Sequence, residues 1–563
     1  MNTLSCRYSL EGEILTLGNE LFETTFGGVM SATARIADGA GLSEPYLEIT
    51  AQRTDGRETR FCLWEDLPLV WIPEYREESL FFMEGDHWQI RTVRLRAFTD
   101  ENDTLTEEND VTLFHGYIQG KRTGEIFLFE NVEDGEARVV ISENADYATA
   151  TLTARRRLVK LDNGGQGLVI GYCRAGEGEK LCRDYLRRAR KYSRLVTMSN
   201  TWGDRNGNQR VAHDFVCREI DSAEELGIDI VQIDDGWQMG DTFTCPRDEQ
   251  KRRLFDGDFW EYDPKRFPEG IRAVTSYAGE KGVRLGMWFA PDSHDCFAHW
   301  ERDAEVLRRA YREWGVRFFK LDMYWVTNDA ERDQMLALLR EIHSLGDDVT
   351  VQMDVTRDQR LNYLCGRQYG TVFVENRYTK SGNFYPYGAL KNLWMISKYV
   401  PANRFQFEVV NPDLNTECYR EGDPFAPCFY SMDYLFASVM LSNPLFWMEM
   451  QFLSKERREE LAPLMKVWKA CREDLARMDV RPIGEKPNGR SLTGFLVSED
   501  GKPRYILLFR EVTDRSSTVI PLDLPDASCH VLASNTKGTV SIRNGAVLAQ
   551  IETARGYLFA KID

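Results

Sequence analysis

The stretch IDIVQIDDGWQ, residues 228–238, runs apolar and then stops at two adjacent carboxylates, Asp234 and Asp235, followed by a glycine and the indole of Trp237. A short apolar run that ends in polar residues is typical of a buried strand at the point where it leaves the core. Two neighbouring carboxylates repel each other, so the site has to supply a cation, hydroxyl donors or solvent to offset the repulsion. Which of these it supplies bears directly on the function.

The stretch belongs to a region, residues 196–475, in which short apolar runs alternate with amphipathic helical segments. Repeated β-then-α units require a parallel sheet, and eight units in about 280 residues favour a closed (β/α)8 TIM barrel over an open sheet. The eight predicted strands are LVTMSNTW, IDIVQIDD, RLGMWFAPD, RFFKLDMYW, VTVQMDV, TVFVENRYT, RFQFEVVNP and LSNPLFWMEM.

The two flanking regions have β character. Residues 1–190 contain short alternating or apolar segments separated by Gly, Asp and Asn, which predicts an N-terminal β-sandwich. Residues 480–563 return to the same pattern and predict a small all-β domain, a C-terminal β-sandwich. The expected fold is therefore multidomain α/β and β, with the barrel as the catalytic domain of a 563-residue chain.

Composition excludes several classes of function. The formal net charge of −18 disfavours nucleic-acid binding, which depends on neutralising phosphates with Lys and Arg. No apolar run is long enough to span a membrane. The 12 cysteines show no CxxC spacing, so we expect no structural zinc site. We also expect no other metal and no cofactor. The start MNTLSCRYSLEGEI lacks the features of a secretory signal, which favours a cytoplasmic location.

Active groups of such barrels lie at the C-terminal ends of the strands. Carboxylates and tryptophans occupy these positions on nearly every predicted strand, so we expect a pocket there. In strand order the residues are Trp202 and Asp204; Asp234, Asp235 and Trp237; Trp288 and Asp292; Lys320, Asp322 and Tyr324; Asp354; Glu375 and Arg377; Glu408; and Glu449.

Asp322 is the strongest single candidate among them. It follows an apolar run, and Lys320 stands two positions earlier, so both side chains point the same way from the strand. A neighbouring ammonium lowers a carboxylate's pKa and keeps it ionised. An ionised carboxylate in a fixed position can act as a nucleophile; the alternative is a structural ion pair.

This order of motifs resembles the clan of retaining α-galactosidases, most closely glycoside hydrolase family 36 and its family 27 relatives. The matching pieces are Trp202, QIDDGWQ, the linking segment DPKRFPEGIRAVTSYAGEKGVRLGMWFAPD and FFKLDMYW. The resemblance implies a glycosidase with Asp322 as nucleophile. It also implies that Asp234 and Asp235 bind hydroxyl groups of the sugar.

The resemblance bears on other residues and on assembly. It implies substrate contacts near Lys320, and apolar walls for the sugar from Trp202, Trp237 and Trp288, each of which could equally be core packing. Dimers or tetramers are common in the family.

A retaining glycosidase also needs a carboxyl group that donates and then accepts a proton. In the resembled families it follows the sixth strand, so Glu375 is the candidate, with Asp358 and Asp354 as alternatives. Family 36 usually carries Cys-Ser-Gly-Gly after the fifth strand and an Asp as the acid, whereas this chain has QMDVTRDQR and a Glu. The identity of the sugar therefore stays open between galactose, N-acetylgalactosamine and others. Asp354 and Arg377 are expected to contact the substrate.

Three other hypotheses remain. Asp234, Asp235 and Asp322 could hold Mg²⁺, since carboxylates suit that ion. The chain could be a carbohydrate-binding protein without catalysis, or it could transfer the glycosyl group to another sugar.

Overall fold

A computed structural model of the protein describes most of the chain from residue 194 onward and a set of strands before it. The described residues are 7–18, 23–37, 46–54, 56, 58–64, 74–81, 90–97, 125–131, 136–142, 149–153, 158–162, 167–174, 179, 180, 183, 187, 194–240, 258–324, 326, 329–354, 369–373, 383–398 and 400–563. The chain divides into two compact units: residues 1–191 with 325–333 and 357–368, and residues 192–324 with 334–356 and 369–563.

The first unit is built from strands. A six-stranded sheet has the order β4-β5-β6-β13-β10-β9, a three-stranded sheet the order β1-β2-β3, and β7-β8 and β11-β12 form pairs. The packing of these sheets as a sandwich stays a prediction. The strands are β1 Arg7–Glu11, β2 Ile14–Gly18, β3 Glu23–Phe26, β4 Val29–Ala37, β5 Tyr46–Arg53, β6 Glu58–Trp64, β7 Glu74–Phe81, β8 Ile90–Ala97, β9 Glu125–Asn131, β10 Glu136–Ser142, β11 Thr149–Thr153, β12 Leu158–Asp162 and β13 Gly167–Arg174.

The second unit contains a closed eight-stranded parallel barrel. Its closure is visible in the register, because Met198 of the first barrel strand pairs with Ile230 of the second and with Leu445 of the eighth. Seven of these strands fall within the runs predicted from the sequence and the sixth begins one residue before its run, at Gly370, so the TIM barrel prediction is confirmed. The barrel strands are β14 Met198–Asn200, β15 Ile230–Ile233, β16 Arg284–Phe289, β17 Phe318–Leu321, β18 Thr350–Asp354, β19 Gly370–Phe373, β20 Phe405–Val409 and β21 Asn443–Phe446.

Helices follow most of the barrel strands. The first of them buries Phe215, Val216, Ile220 and Ala223 on one face, and it ends at Gly227, whose positive φ of 75° stops the helix. Residues 355–368, between the fifth and sixth barrel strands, lie outside the described residues. The helices are α1 His213–Leu226, α2 Gly270–Glu280, α3 Trp300–Arg309, α4 Asp329–Ser344, α5 Pro386–Ile396, α6 Met432–Ala437 and α7 Lys455–Arg477.

Two antiparallel sheets follow the barrel, ordered β22-β23-β24-β29-β26 and β25-β28-β27. They share one apolar core, to which Leu496 and Ile506 contribute from the first sheet and Val547 and Ile551 from the second. These sheets belong to the same unit as the barrel, and the predicted domain boundaries stay predictions. The strands are β22 Asp479–Gly484, β23 Leu492–Glu499, β24 Lys502–Arg510, β25 Ser517–Pro521, β26 Cys529–Ser534, β27 Gly538–Arg543, β28 Ala546–Ile551 and β29 Gly556–Ile562.

Within the described ranges, the helices are all too short or too polar to cross a lipid bilayer.

Candidate active site

Polar side chains enter the barrel in two layers. Residues two apart on a strand point to the same side, and three barrel strands place a glutamine two positions before an acid. All six side chains are buried, so the inside of the barrel becomes acidic toward the C-terminal ends of its strands. The pairs are Gln232 and Asp234, Gln352 and Asp354, and Gln406 and Glu408.

Lys320 lies at the centre of the acidic layer. Its Nζ is 2.9 Å from Asp234 Oδ2, 3.3 Å from Asp354 Oδ2 and 3.8 Å from Asp322 Oδ2. Burial on its own lowers the pKa of this ammonium, but the three carboxylates outweigh burial and raise it well above the usual range. Lys320 therefore stays charged and offsets much of the repulsion among the acids around it.

Asp322 differs from the other two carboxylates in its exposure. Its side chain is 20% exposed, against 4% for Asp234 and 1% for Asp354. Trp288 Nε1 donates to Asp322 Oδ2 at 3.0 Å, and the backbone N of Met323 donates to Oδ1 at 2.5 Å. The carboxylate is thus fixed in orientation and still accessible, which suits an attacking group.

The adjacent acids of the second strand have separate partners. Asp234 Oδ2 accepts from Asn200 Nδ2 at 2.7 Å as well as from Lys320, and its Oδ1 accepts from the backbone N of Asp235 at 2.9 Å. Asp235 Oδ1 accepts from Gln238 Nε2 at 2.6 Å. The ammonium of Lys320 and the amide donors therefore offset the repulsion between these two adjacent carboxylates.

Gly236 makes this turn possible. Its φ is 108°, and a Cβ at this position would lie 2.6 Å from the Cβ of Asn208. Only glycine adopts this conformation without strain, so the turn that presents Asp234 and Asp235 depends on it.

The predicted tryptophan walls occupy different surroundings. Trp237 is 1% exposed, stacks on Trp260 at 5.8 Å between ring centroids, and meets the edge of Trp314 at 5.6 Å. Its Nε1 donates to the carbonyl of Trp288 at 2.9 Å. Trp288 thus joins this aromatic core to Asp322, and Trp202 is half-buried. The contact of each with a sugar stays a prediction.

The candidate proton donor is not placed. Glu375, Arg377 and Asp358 lie outside the described residues. Asp354, the remaining alternative, is buried beside Lys320, and contact with an ammonium suits a hydrogen-bond acceptor better than a proton donor.

Asp292, which follows the third strand, makes its contacts within the segment after that strand. Its carboxylate contacts His294 Nδ1 at 2.7 Å and accepts from Arg302 Nη2 at 2.9 Å, while its backbone N donates to Asp303 Oδ2 at 2.8 Å. It is fully buried. This acid therefore stabilises the segment after the strand.

Two further strand-end acids, Asp204 and Glu449, are joined through the backbone, because Glu449 N donates to Asp204 Oδ2 at 2.8 Å. They lie with Glu219, which the sequence interpretation missed. Its signal is a charged residue on the apolar face of an amphipathic helix, between the buried Val216 and Ile220. Such a residue has to find polar partners inside the fold.

A magnesium site was one hypothesis for the acids around Lys320. Among the residues that the structure describes, no group of three or more His, Cys, Asp or Glu side chains is arranged to hold a metal ion. The ammonium of Lys320 takes the central position between Asp234 and Asp322.

A family model described as α-galactosidase A matches residues 211–351, which span the second to fourth barrel strands and reach into the fifth. This part of the barrel is therefore similar to α-galactosidases. Human α-galactosidase A is 27% identical over 157 residues, 26% of this chain and 33% of that enzyme. Chicken α-N-acetylgalactosaminidase is 27% identical over 133 residues, 22% of this chain and 29% of that enzyme.

A solved structure of a family 36 α-galactosidase from Geobacillus stearothermophilus matches the fold over 100% of this chain and 90% of that one, with a TM-score of 0.62 and 12% identity. This identity shows a shared fold alone. The sequence matches to the first curated relatives span only 9% to 33% of their length.

Proposed function

We propose that the protein is a retaining α-glycosidase that removes terminal α-galactosyl groups by double displacement. The observation that carries this proposal is the geometry of Asp322, a partly exposed carboxylate held by Trp288 and lying beside the buried ammonium of Lys320. The match of residues 211–351 to the α-galactosidase A family model and the similarity to human α-galactosidase A support it.

In the first step an oxygen of Asp322 attacks the anomeric carbon, and the bond from that carbon to the leaving oxygen breaks as the acid delivers a proton. Water then attacks the same carbon, gives its proton to the same group and releases Asp322. Asp234 and Asp235 are acceptors for sugar hydroxyl groups. Their fixed positions orient the ring before the chemistry begins.

Two measurements test this proposal. Proton NMR of the first product from p-nitrophenyl α-D-galactoside has to show the α-anomer, because two displacements retain configuration. Mass spectrometry of protein incubated with 2-deoxy-2-fluoro-α-galactosyl fluoride has to find the adduct on Asp322. A β-anomer product, or an adduct on another residue, would refute the assignment.

Glu375 is our proposed acid/base. Its substitution by Ala should strongly reduce hydrolysis of substrates with poor leaving groups and spare α-galactosyl fluoride, which needs no protonation. Asp358→Ala is the matched variant, since it tests the alternative candidate in the same assay. Equal loss on both kinds of substrate would exclude Glu375 as the acid.

The second candidate function is α-N-acetylgalactosaminidase, which the chicken relative favours. A panel of aryl α-glycosides of galactose and N-acetylgalactosamine separates the two by kcat/KM. Raffinose and stachyose belong in the panel, because structures of the Geobacillus enzyme contain them. The same reactions, run with an added sugar acceptor, distinguish glycosyl transfer from hydrolysis. Cytoplasmic location and a homo-oligomeric state remain predictions.

A further inference from the structure

The buried ammonium of Lys320 has two kinds of neighbour, and they come from different parts of the barrel. The three carboxylates described above belong to the second, fourth and fifth strands. Two aromatic rings approach the ammonium from the remaining side of the barrel: Phe373 ends the sixth strand and Trp447 follows the eighth. In a closed barrel of eight strands, the eighth lies opposite the fourth. The side chain of Lys320 therefore extends across the barrel toward Trp447.

The aromatic side of this site has the geometry of a cation–π contact. Lys320 Nζ lies over the ring of Trp447, 5.1 Å from its centroid, and 5.9 Å from the ring centroid of Phe373. The two rings also contact each other, with centroids 5.2 Å apart. A cation within about 6 Å of a ring centroid is attracted by the ring face, most strongly by tryptophan and in a site without water. Lys320 and Trp447 are both buried, so the contact has this favourable setting.

The indole N–H of Trp447 is not what orients its ring. Three other buried tryptophans, Trp237, Trp394 and Trp468, each donate Nε1 to a backbone carbonyl. Among the residues that the structure describes, no acceptor lies within hydrogen-bond distance of the buried Nε1 of Trp447. A buried donor without a partner is unfavourable. The ring is therefore held by its packing and by the contact of its face with the ammonium.

The backbone that carries Trp447 has little freedom to move. Its N donates to the carbonyl of Val409 at 2.8 Å. On the other side, Gly203 in the loop after the first strand approaches so closely that a Cβ would lie 2.4 Å from Met448 N and 2.6 Å from the carbonyl carbon of Trp447. The ring thus has a fixed attachment, whereas the four-carbon stem of Lys320 is flexible on its own.

The position of the ammonium determines how strongly it acts on each acid. Its Nζ is 2.9 Å from Asp234 and 3.3 Å from Asp354, but 3.8 Å from the candidate nucleophile, Asp322. Coulomb attraction falls with distance, so an ammonium free to move would follow its two nearer partners. Its contact with Asp322 therefore depends on a restraint from elsewhere in the barrel.

We propose that Trp447 is a positioning residue whose ring holds the Lys320 ammonium within reach of Asp322, with a smaller contribution from Phe373. Trp447 is 1% exposed, so it acts through Lys320 and not by contact with the sugar. The kinetic consequence rests on the proposed glycosidase function with Asp322 as nucleophile. The placement of the ammonium by the ring rests on no activity.

The kinetic test compares Trp447→Leu with Trp447→Phe on α-galactosyl fluoride. Leucine is apolar but has no aromatic face, so kcat should fall about tenfold while KM changes less than about twofold. Phenylalanine keeps a face and should restore kcat to within about threefold of the unsubstituted protein. Trp468→Leu is the matched control, because Trp468 is also buried and contacts a cation, Arg472, but follows the barrel on helix α7; its kcat should not change.

Two kinetic outcomes would overturn the proposal. One is an unchanged kcat in Trp447→Leu, and the other is a loss that appears as a rise in KM, which would indicate direct contact with the sugar. If Trp447→Leu does not fold, Phe373→Leu replaces it. Because this ring lies farther from Nζ, its loss should lower kcat by about threefold, again at nearly constant KM.

The structural test needs no substrate. In two-dimensional NMR of protein with isotope-labelled lysine, the Lys320 Hε signal, identified by its absence in Lys320→Arg, should be shifted upfield by the indole ring current. The shift should disappear in Trp447→Leu. Lys398, whose Nζ lies 4.7 Å from the ring centroid of Trp394, is the internal control and should keep its signal. A Lys320 signal that does not respond to Trp447→Leu overturns the proposal. The predicted NMR pattern without any activity would instead refute only the glycosidase function.

Discussion

Two clusters of acidic residues lie at the C-terminal face of the barrel, and they differ in their surroundings. Asp234, Asp322 and Asp354 surround the buried ammonium of Lys320, which offsets their repulsion. Asp204 accepts from the backbone N of Glu449, whose side chain pairs with the half-exposed Arg210. Burial raises the pKa of both acids. The difference shows how much a buried cation matters to the acids around it.

Asp322→Ala should have the largest effect on activity. Removing the proposed nucleophile should reduce kcat by about 10⁴-fold or more, because the covalent intermediate of the proposed mechanism forms on this carboxylate. The fold should persist, since Asp322 is only an edge member of the Lys320 group. Steady-state kinetics and circular dichroism check the two parts; activity within tenfold of the unsubstituted protein would remove Asp322 from the mechanism.

Lys320→Met should have the largest effect on stability. Breaking a buried ion pair typically costs about 3–5 kcal/mol, because the partner charges stay buried without compensation. Chemical denaturation at pH 7 measures this loss, and part of it should return at lower pH as the orphaned acids take up protons. Lys281→Met, at a half-exposed surface pair with Glu224, is the control and should change stability little. Equal effects would contradict the central role of Lys320.

Asp204→Asn should change the pH dependence of stability in a defined direction. The pKa of Asp204 is raised from 3.8 to about 8 in the folded protein, so its favourable contribution is complete below about pH 4 and is lost as pH rises toward 8. The variant lacks this loss. The difference between the free energy of unfolding of the variant and that of the unsubstituted protein should therefore shift in the variant's favour by a few kcal/mol between pH 4 and pH 8. A constant difference across this range would mean that Asp204 ionises normally.

Trp237→Phe should have the smallest effect. The change removes the hydrogen bond to the Trp288 carbonyl and part of a buried ring, at a cost of about 1–3 kcal/mol. If Trp237 supports the site only through Trp288, kcat/KM for an aryl α-galactoside should fall less than about tenfold while KM stays nearly constant. A large rise in KM would instead favour direct contact with the sugar.

The sequence predicts the barrel well because each strand is a short apolar run with a clear end. The i, i+2 rule correctly predicts that Lys320 and Asp322 lie on one side of their strand. It does not predict which acids of distant strands meet, since that depends on register and stagger around the barrel. The contact of Lys320 with Asp234, two strands away, follows only from the closed structure.

The second acid group is harder to predict for a further reason. Asp204 and Glu449 stand at strand ends as every candidate does, and nothing in their local sequence separates them from Asp354. Their raised pKa values come first from burial and are helped by a distant helix residue, Glu219. Only the charged residue on the apolar face of helix α1 hints at this partner before the fold is known.

The contact at Gly203 also bears on how such a pocket can diversify. Because any side chain there would collide with the backbone of Met448, single substitutions at this position cannot widen or reshape the entrance between the first and eighth strands. New specificities, natural or engineered, would have to arise from substitutions at other positions. Mutant libraries for directed evolution should therefore leave Gly203 unchanged and vary other loops of the barrel.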